Sequence, residues 1–315
     1  MSGQLAAAPV AVRLLEADLV LWRDGAGVAH AWRDQCPHRG AQLSLGQVID
    51  GALECRYHGW RFGSSGQCLK VPALPDFIPP QGLCTQAYGV CEAHGLVWVC
   101  LRDKPATLPV WEAEADARLR KLNCGPYEVA TSAPRIVENF LDMAHFGFVH
   151  EGWLGTRTAT AVESYRVERT ATGILATGCK AWQPQSSVHA TAPAQVEYGY
   201  AVLAPYTAAL AKVPDVASVA LDGYRESIAL FICPVEPALS RVWFRLAVAD
   251  FDSPDEKLRS FQDTIFLQDK PVLESQRPVL LPLAENSERH TVADKASLAY
   301  RSYLKELGIC FGVTP

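Results

Sequence analysis

Two short segments constrain this chain most: Cys36-Pro37-His38 and Cys55-Arg56-Tyr57-His58, with sixteen residues between them. Each carries one thiol and one imidazole. Two thiolates and two imidazoles on two loops can hold one metal ion or one dinuclear cluster, provided the fold brings the loops together. A structural zinc site is the rival reading of the same four groups. Zinc fingers, however, place both cysteines before both histidines, whereas here each loop has one of each. Pro37, Gly40 and Gly59 suit tight turns in which backbone amides approach the sulfurs. His30 and His94 lie nearby but fit no ligand spacing, and read as solvent-facing or internally satisfied histidines.

The surroundings of these segments are strand-like. Residues 19–23 and 28–32 flank Asp24-Gly25-Ala26-Gly27, and Gly63-Ser64-Ser65-Gly66 separates two further short runs, both being hairpin signals. Residues 95–101 form a continuous apolar run of strand length. Many short strands at close spacing predict a small all-β barrel or sandwich. At 315 residues the chain exceeds what one hydrophobic core usually serves, so a second domain is expected. Composition shifts over residues 103–122, where Lys104-Pro105 and Leu108-Pro109 precede a charged, Ala-rich stretch, the predicted connection.

The second half carries Asn139-x-x-Asp142-x-x-His145-x-x-x-x-His150, all but its last residue within residues 135–149, a stretch that suits a helix. Asn139, Asp142 and His145 recur every three residues, which on a helix gathers their polar groups on one side. A carboxylate three residues before a histidine is placed to fix the imidazole's tautomer. His145 and His150 lie about 140° apart on an ideal helix, so sharing a metal requires unwinding between them, and Gly147 is the expected place. Strands alternate with turns from about 160 to 250. Ser253-Pro254-Asp255-Glu256 predicts a helix start with serine at the N-cap, ending near Gln268 because Lys270-Pro271 discourages continuation.

The run Asp34-Gln35-Cys36-Pro37-His38-Arg39-Gly40-Ala41-Gln42-Leu43-Ser44, with Tyr57-His58-Gly59-Trp60, resembles the Rieske domain of the aromatic-ring-hydroxylating and demethylating oxygenases. The Asn139–His150 pattern resembles the mononuclear iron motif of the same family. In a Rieske cluster two Cys bind one iron and two His the other, which raises the potential above that of an all-Cys cluster. The resemblance implies an α+β chain: an N-terminal all-β Rieske domain over residues 1–110 and a C-terminal helix-grip (START-like) antiparallel-sheet catalytic domain over residues 111–315. It implies a [2Fe–2S] cluster on Cys36, His38, Cys55 and His58, and a mononuclear Fe(II) on His145, His150 and a carboxylate, with O2 as co-substrate. Asp269 is the carboxylate chosen, because its segment resembles the one that supplies the aspartate in demethylase-like members. Asp263 and Glu274 are rivals on that segment, and Asp269 as a helix cap is the plainer alternative. One departure from the family is the short stretch, about a dozen residues, before the first strand.

The resemblance also implies a homotrimer. The two irons of one subunit are too far apart for useful electron transfer, and a head-to-tail ring places one subunit's cluster beside its neighbour's mononuclear site. Asp142 would then join His145 of one chain to His58 of the next, with Asn139 beside it. The alternative is that Asp142 is a local hydrogen-bond acceptor. The expected activity is mono-oxygenation or O- or N-demethylation of a small aromatic or cyclic substrate, as in aromatic catabolism. Ring dihydroxylation and a Rieske electron carrier with a binding domain remain alternatives. The absence of G-x-G-x-x-G and of a plant-type ferredoxin run means that NAD(P)H acts only through a separate flavin or ferredoxin-type reductase.

Trp182, Tyr198, Tyr200, Tyr206, Tyr224 and Phe231 could line an apolar pocket or be ordinary strand core. Arg225, Arg241 or Arg245 could meet a substrate carboxylate. A net charge of −5 and pI near 5.9 give no reason to expect nucleic acid or an anionic membrane. With no basic region before residues 5–15 and no apolar run of spanning length, a cytoplasmic location is expected. The ten cysteines are read as reduced, mostly buried residues.

Overall fold

The computed structural model describes residues 1–6, 8–102, 107–214, 218–219 and 225–315. The chain divides into two compact units, Met1–Leu108 and Pro109–Pro315. No helix among the described residues is long and apolar enough to cross a membrane.

The first unit is all β. One sheet orders β1 (Val10–Leu14), β2 (Ala17–Arg23), β3 (Ala29–Arg33), β8 (Ala87–Ala93) and β9 (Leu96–Cys100). The other runs in sequence through β4 (Gln47–Ile49), β5 (Ala52–Glu54), β6 (Arg61–Phe62) and β7 (Cys68–Lys70). The predicted β2–β3 hairpin closes because the Asp24 carboxylate accepts the amides of Ala26 and Val28, at 2.9 and 3.0 Å. His30 is satisfied, bonded to Asp24 at 2.9 Å and stacked on Trp22. Trp22, Trp32, Leu43, Leu53 and Phe62 fill the core against the sulfurs of Cys36 and Cys55.

The second unit is a seven-stranded antiparallel sheet ordered β10 (Arg120–Val129), β16 (Leu239–Val248), β15 (Glu226–Glu236), β14 (Thr207–Pro214), β13 (Ala194–Ala204), β12 (Ile174–Gln183) and β11 (Arg166–Arg169). Helix α1 (Ala133–Leu141) lies against β14 and β15, α3 (Asp255–Ser275) against β10, and α4 (Lys295–Glu306) against β11 and β12. Alternate residues Val196, Tyr198, Tyr200 and Val202 of β13 point into the core, the period expected of a half-buried strand. A short parallel pair, β17 (Leu281–Pro282) and β18 (Val313–Thr314), closes the C-terminal end.

Three local expectations need correction. Residues 135–149 are not one helix: α1 stops at Leu141, and a four-residue α2 (Phe146–Val149) follows. The long helix starts one residue later than predicted, with Pro254 rather than Ser253 at the N-cap. It also passes through Pro271 to Ser275. Pro271 cannot donate to the Leu267 carbonyl, but Leu267 lies on an exposed stretch, where water can take that bond. Asp269 therefore sits inside a helix and caps nothing. None of the ten cysteines is in a disulfide, but only five are buried, and Cys84, Cys91 and Cys310 are exposed.

Candidate metal centres

Both ligand loops of the first unit follow a strand and turn back the same way. The Cys36 amide donates to the Ala41 carbonyl at 2.8 Å, and the Gly40 amide to the Cys36 carbonyl at 2.9 Å. The second loop repeats this, Cys55 to Trp60 at 2.8 Å and Gly59 to Cys55 at 2.9 Å. Gly40 and Gly59 adopt φ of +72° and +70°, the left-handed region open to glycine. Each loop thus puts its thiol inside and its imidazole outside: Cys36 and Cys55 are buried, His38 is half-buried and His58 exposed. The two rings lie 4.6 Å apart, with Trp60 stacked flat on His38 at 4.4 Å. Burial, opposed by the His38 amide and helped by Cys55 alongside, pushes the Cys36 thiol up to about 11. Two neighbouring buried thiols of this kind suit a cation that compensates their charge. The Asp34 carboxylate fixes the first loop by accepting the amide and hydroxyl of Ser44, at 2.7 and 2.6 Å.

The second unit gathers His145, His150 and Asp269, whose ligand atoms all lie within 4.8 Å of one another. Asp142 Oδ1 accepts the Ala144 amide at 2.9 Å and Oδ2 the His145 amide at 3.2 Å, a local turn that replaces the next helical bonds and ends α1. The histidines then flank α2 as its two caps. The chain unwinds ahead of His145, not at Gly147. Gly147 instead permits close packing: a Cβ there would sit 2.8 Å from the Thr156 carbonyl oxygen.

Both imidazoles are oriented through Nδ1. His145 Nδ1 lies 2.8 Å from Asp142 Oδ2, and His150 Nδ1 lies 2.8 Å from Gln268 Oε1. Both partners are acceptors, so each Nδ1 carries the proton and each Nε2 offers a lone pair. The two Nε2 atoms are 3.2 Å apart, and Asp269 Oδ1 is 3.4 Å from one and 3.2 Å from the other. Asn139 Nδ2 donates to that same Oδ1 at 3.3 Å. Burial raises the Asp142 carboxyl, but its bonds to His145 and to the two amides outweigh this and hold it below the usual carboxylate range. Two imidazoles and one carboxylate converging on one point are the donor set of non-haem Fe(II) sites, which leave positions for O2 and substrate.

Asp263 and Glu274 lie elsewhere. Asp263 accepts the Tyr127 hydroxyl, and Glu274 accepts the Ala130 amide at 2.9 Å. Gln268 was not anticipated. Nothing in sequence marks it except its place beside Asp269, and its role depends on the packing of α3 against α2.

The triad opens into a cavity of about 920 Å³, counted to its open mouth, lined mainly by Phe140, Phe146, Leu210, Ile228 and Phe266. Of the aromatic candidates, Tyr198 and Tyr200 line it. Trp182 is largely exposed, the Tyr206 hydroxyl donates to the Phe311 carbonyl, and buried Phe231 lies outside the lining. Tyr224 lies outside the described residues. The arginine candidates are engaged away from the cavity: Arg225 with Asp116, Arg241 with Glu128, and Arg245 with Glu114. Besides the Asp269 carboxylate, the charged groups that line it are Lys212 and Glu226, which were not anticipated.

Comparison with known proteins places both units in known families. Residues 2–89 match the Rieske [2Fe-2S] domain family, and residues 129–308 match the vanillate O-demethylase oxygenase C-terminal domain family. The chain is 38% identical over 223 residues to a probable methylxanthine N7-demethylase, NdmC, of Pseudomonas sp. (strain TJI-51), covering 70% of this chain and 78% of that protein. It is 32% identical to the methylxanthine N1-demethylase NdmA of Pseudomonas putida, over 95% of this chain and 82% of the other. The structure of P. putida NdmA with caffeine superposes with a TM-score of 0.84 at 30% identity, over 97% of this chain and 86% of that one. With one family spanning more than half of the chain and a relative aligned along nearly all of it, the chain belongs to the Rieske non-haem iron oxygenases, oxidoreductases that use a [2Fe–2S] cluster, a mononuclear iron and O2.

Proposed function

We propose that this chain is the oxygenase component of a mono-oxygenase that hydroxylates or demethylates a small cyclic substrate, with iron on His145, His150 and Asp269 and the cluster on Cys36, Cys55, His38 and His58. The convergence of His145 Nε2, His150 Nε2 and Asp269 Oδ1, with both Nδ1 protons bound elsewhere, carries the reading. Iron bound there would supply O2 activation. The chain's own residues do the rest. Asp142 and Gln268 hold the imidazole tautomers, Asn139 restrains the Asp269 carboxylate, and the apolar cavity orients the substrate and limits water. Hydroxylating an N- or O-methyl group gives a hemiaminal or hemiacetal, which releases formaldehyde.

Electrons arrive one at a time from a separate reductase fuelled by NAD(P)H, at the His38 and His58 edge that faces solvent. A head-to-tail homotrimer, with Asp142 bridging His145 to His58 of the next subunit, would join the two centres. The partial exposure of Asp142 fits that role. A bacterial cytoplasm suits reduced thiols and such a reductase. Purified protein should contain three irons and two sulfides per chain, and should consume O2 and release formaldehyde from methylated cyclic substrates with a surrogate reductase. Zinc in place of iron, or two irons only, would overturn the assignment.

A further inference from the structure

On the sheet side of the cavity, opposite the metal ligands, Tyr198, Lys212 and Glu226 form one row. The register aligns Tyr198 with Lys212, Lys212 with Glu226, and Glu226 with Val248 on adjacent strands. Cross-strand partners share a face, so these side chains stand side by side on the cavity wall. Lys212 Nζ lies 3.0 Å from Glu226 Oε1, and the two side chains are 4% and 9% exposed. The ammonium also lies 5.8 Å from the Tyr198 ring centre and 6.0 Å from that of Phe261. In the next row stands Tyr200, buried, whose hydroxyl has no hydrogen-bond partner among the described residues. One ring separates this row from the metal-facing imidazoles: Phe146 is 6.0 Å from Tyr198 and 6.0 Å from His150, centre to centre.

A buried ion pair among the apolar side chains on this side of the cavity is a poor source of stability, since desolvation offsets the attraction. It does give the cavity a polar pole of no net charge. Burial pulls the Lys212 ammonium down, but Glu226 and Tyr198 outweigh it and hold it above the ordinary lysine range. A carboxylate entering here would meet Lys212 already neutralised and would face Glu226; a cation would meet the reverse. An uncharged carbonyl can accept from Tyr200 and from an ammonium proton not used by Glu226 without disturbing the pair.

We propose that Lys212, Glu226 and Tyr200 form a specificity pole that selects uncharged ring substrates bearing an amide or lactam carbonyl over the corresponding carboxylates. This rests on the oxygenase reading, in that the opposite end of the substrate is the one presented to His145, His150 and Asp269.

Calorimetric titration of the purified, iron-loaded protein with 4-methoxybenzamide and with 4-methoxybenzoate, equal in shape and different in charge, tests it. The wild type binds the amide at least tenfold more tightly. Glu226→Gln leaves Lys212 uncompensated, so the ratio falls tenfold or reverses. If that variant does not fold, Lys212→Met with Glu226→Leu replaces the pair by apolar side chains of similar size; it should lose the amide's advantage over 4-methylanisole. Wild-type preference for benzoate, no binding of either probe, or an unchanged preference in the variants overturns the proposal. Iron content of the same samples keeps the two readings apart. Amide preference in protein that cannot retain iron at His145 would sink the oxygenase site and leave the pole standing, and iron-replete protein without the preference would do the opposite.

Discussion

At the scale of single residues, the two side chains bonded to the imidazole Nδ1 atoms have different duties. Gln268 only orients: its carbonyl oxygen takes the His150 proton at 2.8 Å. Gln268→Leu keeps the bulk and removes the acceptor, so iron affinity at this site should fall about 10- to 100-fold. Chelator competition measures it, with the cluster's visible absorption as the internal control; unchanged affinity would remove the orienting role. Asp142 both orients His145 and is partly exposed. Asp142→Asn can keep its one oxygen at the Oδ2 position, for the His145 amide and Nδ1, while giving up the Ala144 amide bond and the charge; it is expected to retain both kinds of iron while losing turnover. Wild-type oxidation by that variant would show that the carboxylate carries nothing between centres.

At the scale of elements, the site depends on a helix that ends and a helix that does not. The break at Asp142 turns two histidines five residues apart into neighbours, and α2 is held against the following loop by glycines. A Cβ on Gly147 would meet the Thr156 carbonyl oxygen at 2.8 Å, and one on Gly155 would meet the Gly147 amide nitrogen at 2.5 Å. Gly147→Ala should therefore cost about 1–3 kcal/mol by overpacking, seen as a lowered melting temperature with loss of the mononuclear iron but not of the cluster. Retention of all three irons at the wild-type melting temperature would contradict this. Helix α1 is tied to α4 by Arg301, which donates Nε to Glu138 Oε1 at 2.6 Å and Nη2 to Glu138 Oε2 at 2.9 Å.

At the scale of the whole molecule, each unit carries its own ligand set, so the centres should be separable. Cys55→Ser should abolish the cluster and leave one iron per chain, an outcome that metal analysis checks directly. Acid stability offers a second test in the catalytic unit. Asp250 accepts the amides of Asp252 and Ser253 at 3.0 and 2.9 Å and contacts His189 Nε2 at 2.7 Å. Burial raises its carboxyl, but the Ser253 amide and His189 outweigh that and bring it to about 2. A carboxyl lowered on folding contributes stability in full above its unfolded pKa, about 3.9. That contribution is lost as pH falls from there toward about 2. The melting-temperature gap between wild type and Asp250→Asn should therefore narrow on acidification across that window; a gap constant with pH would refute the linkage.

Much of this molecule was legible in its residues because ligand chemistry and turn chemistry are local. Cys36-x-His38 with Cys55-x-x-His58, and Asp142 three residues before His145, state their donors by type and spacing, and Asp24 with Gly27 states its hairpin. Alternation in residues 196–202 states which strand face is buried. The meeting of Asp269 with two histidines more than a hundred residues earlier, the role of Gln268 and the Lys212–Glu226 row were decided by tertiary structure alone. Those contacts depend on strand register and on how α3 crosses the sheet, and neither distance is set by any short stretch of chain. The passage of α3 through Pro271 has the same origin. Local propensity disfavours it by about 3 kcal/mol, and the burial of Ile265, Phe266, Asp269 and Leu273 along one face of the helix overrides that preference.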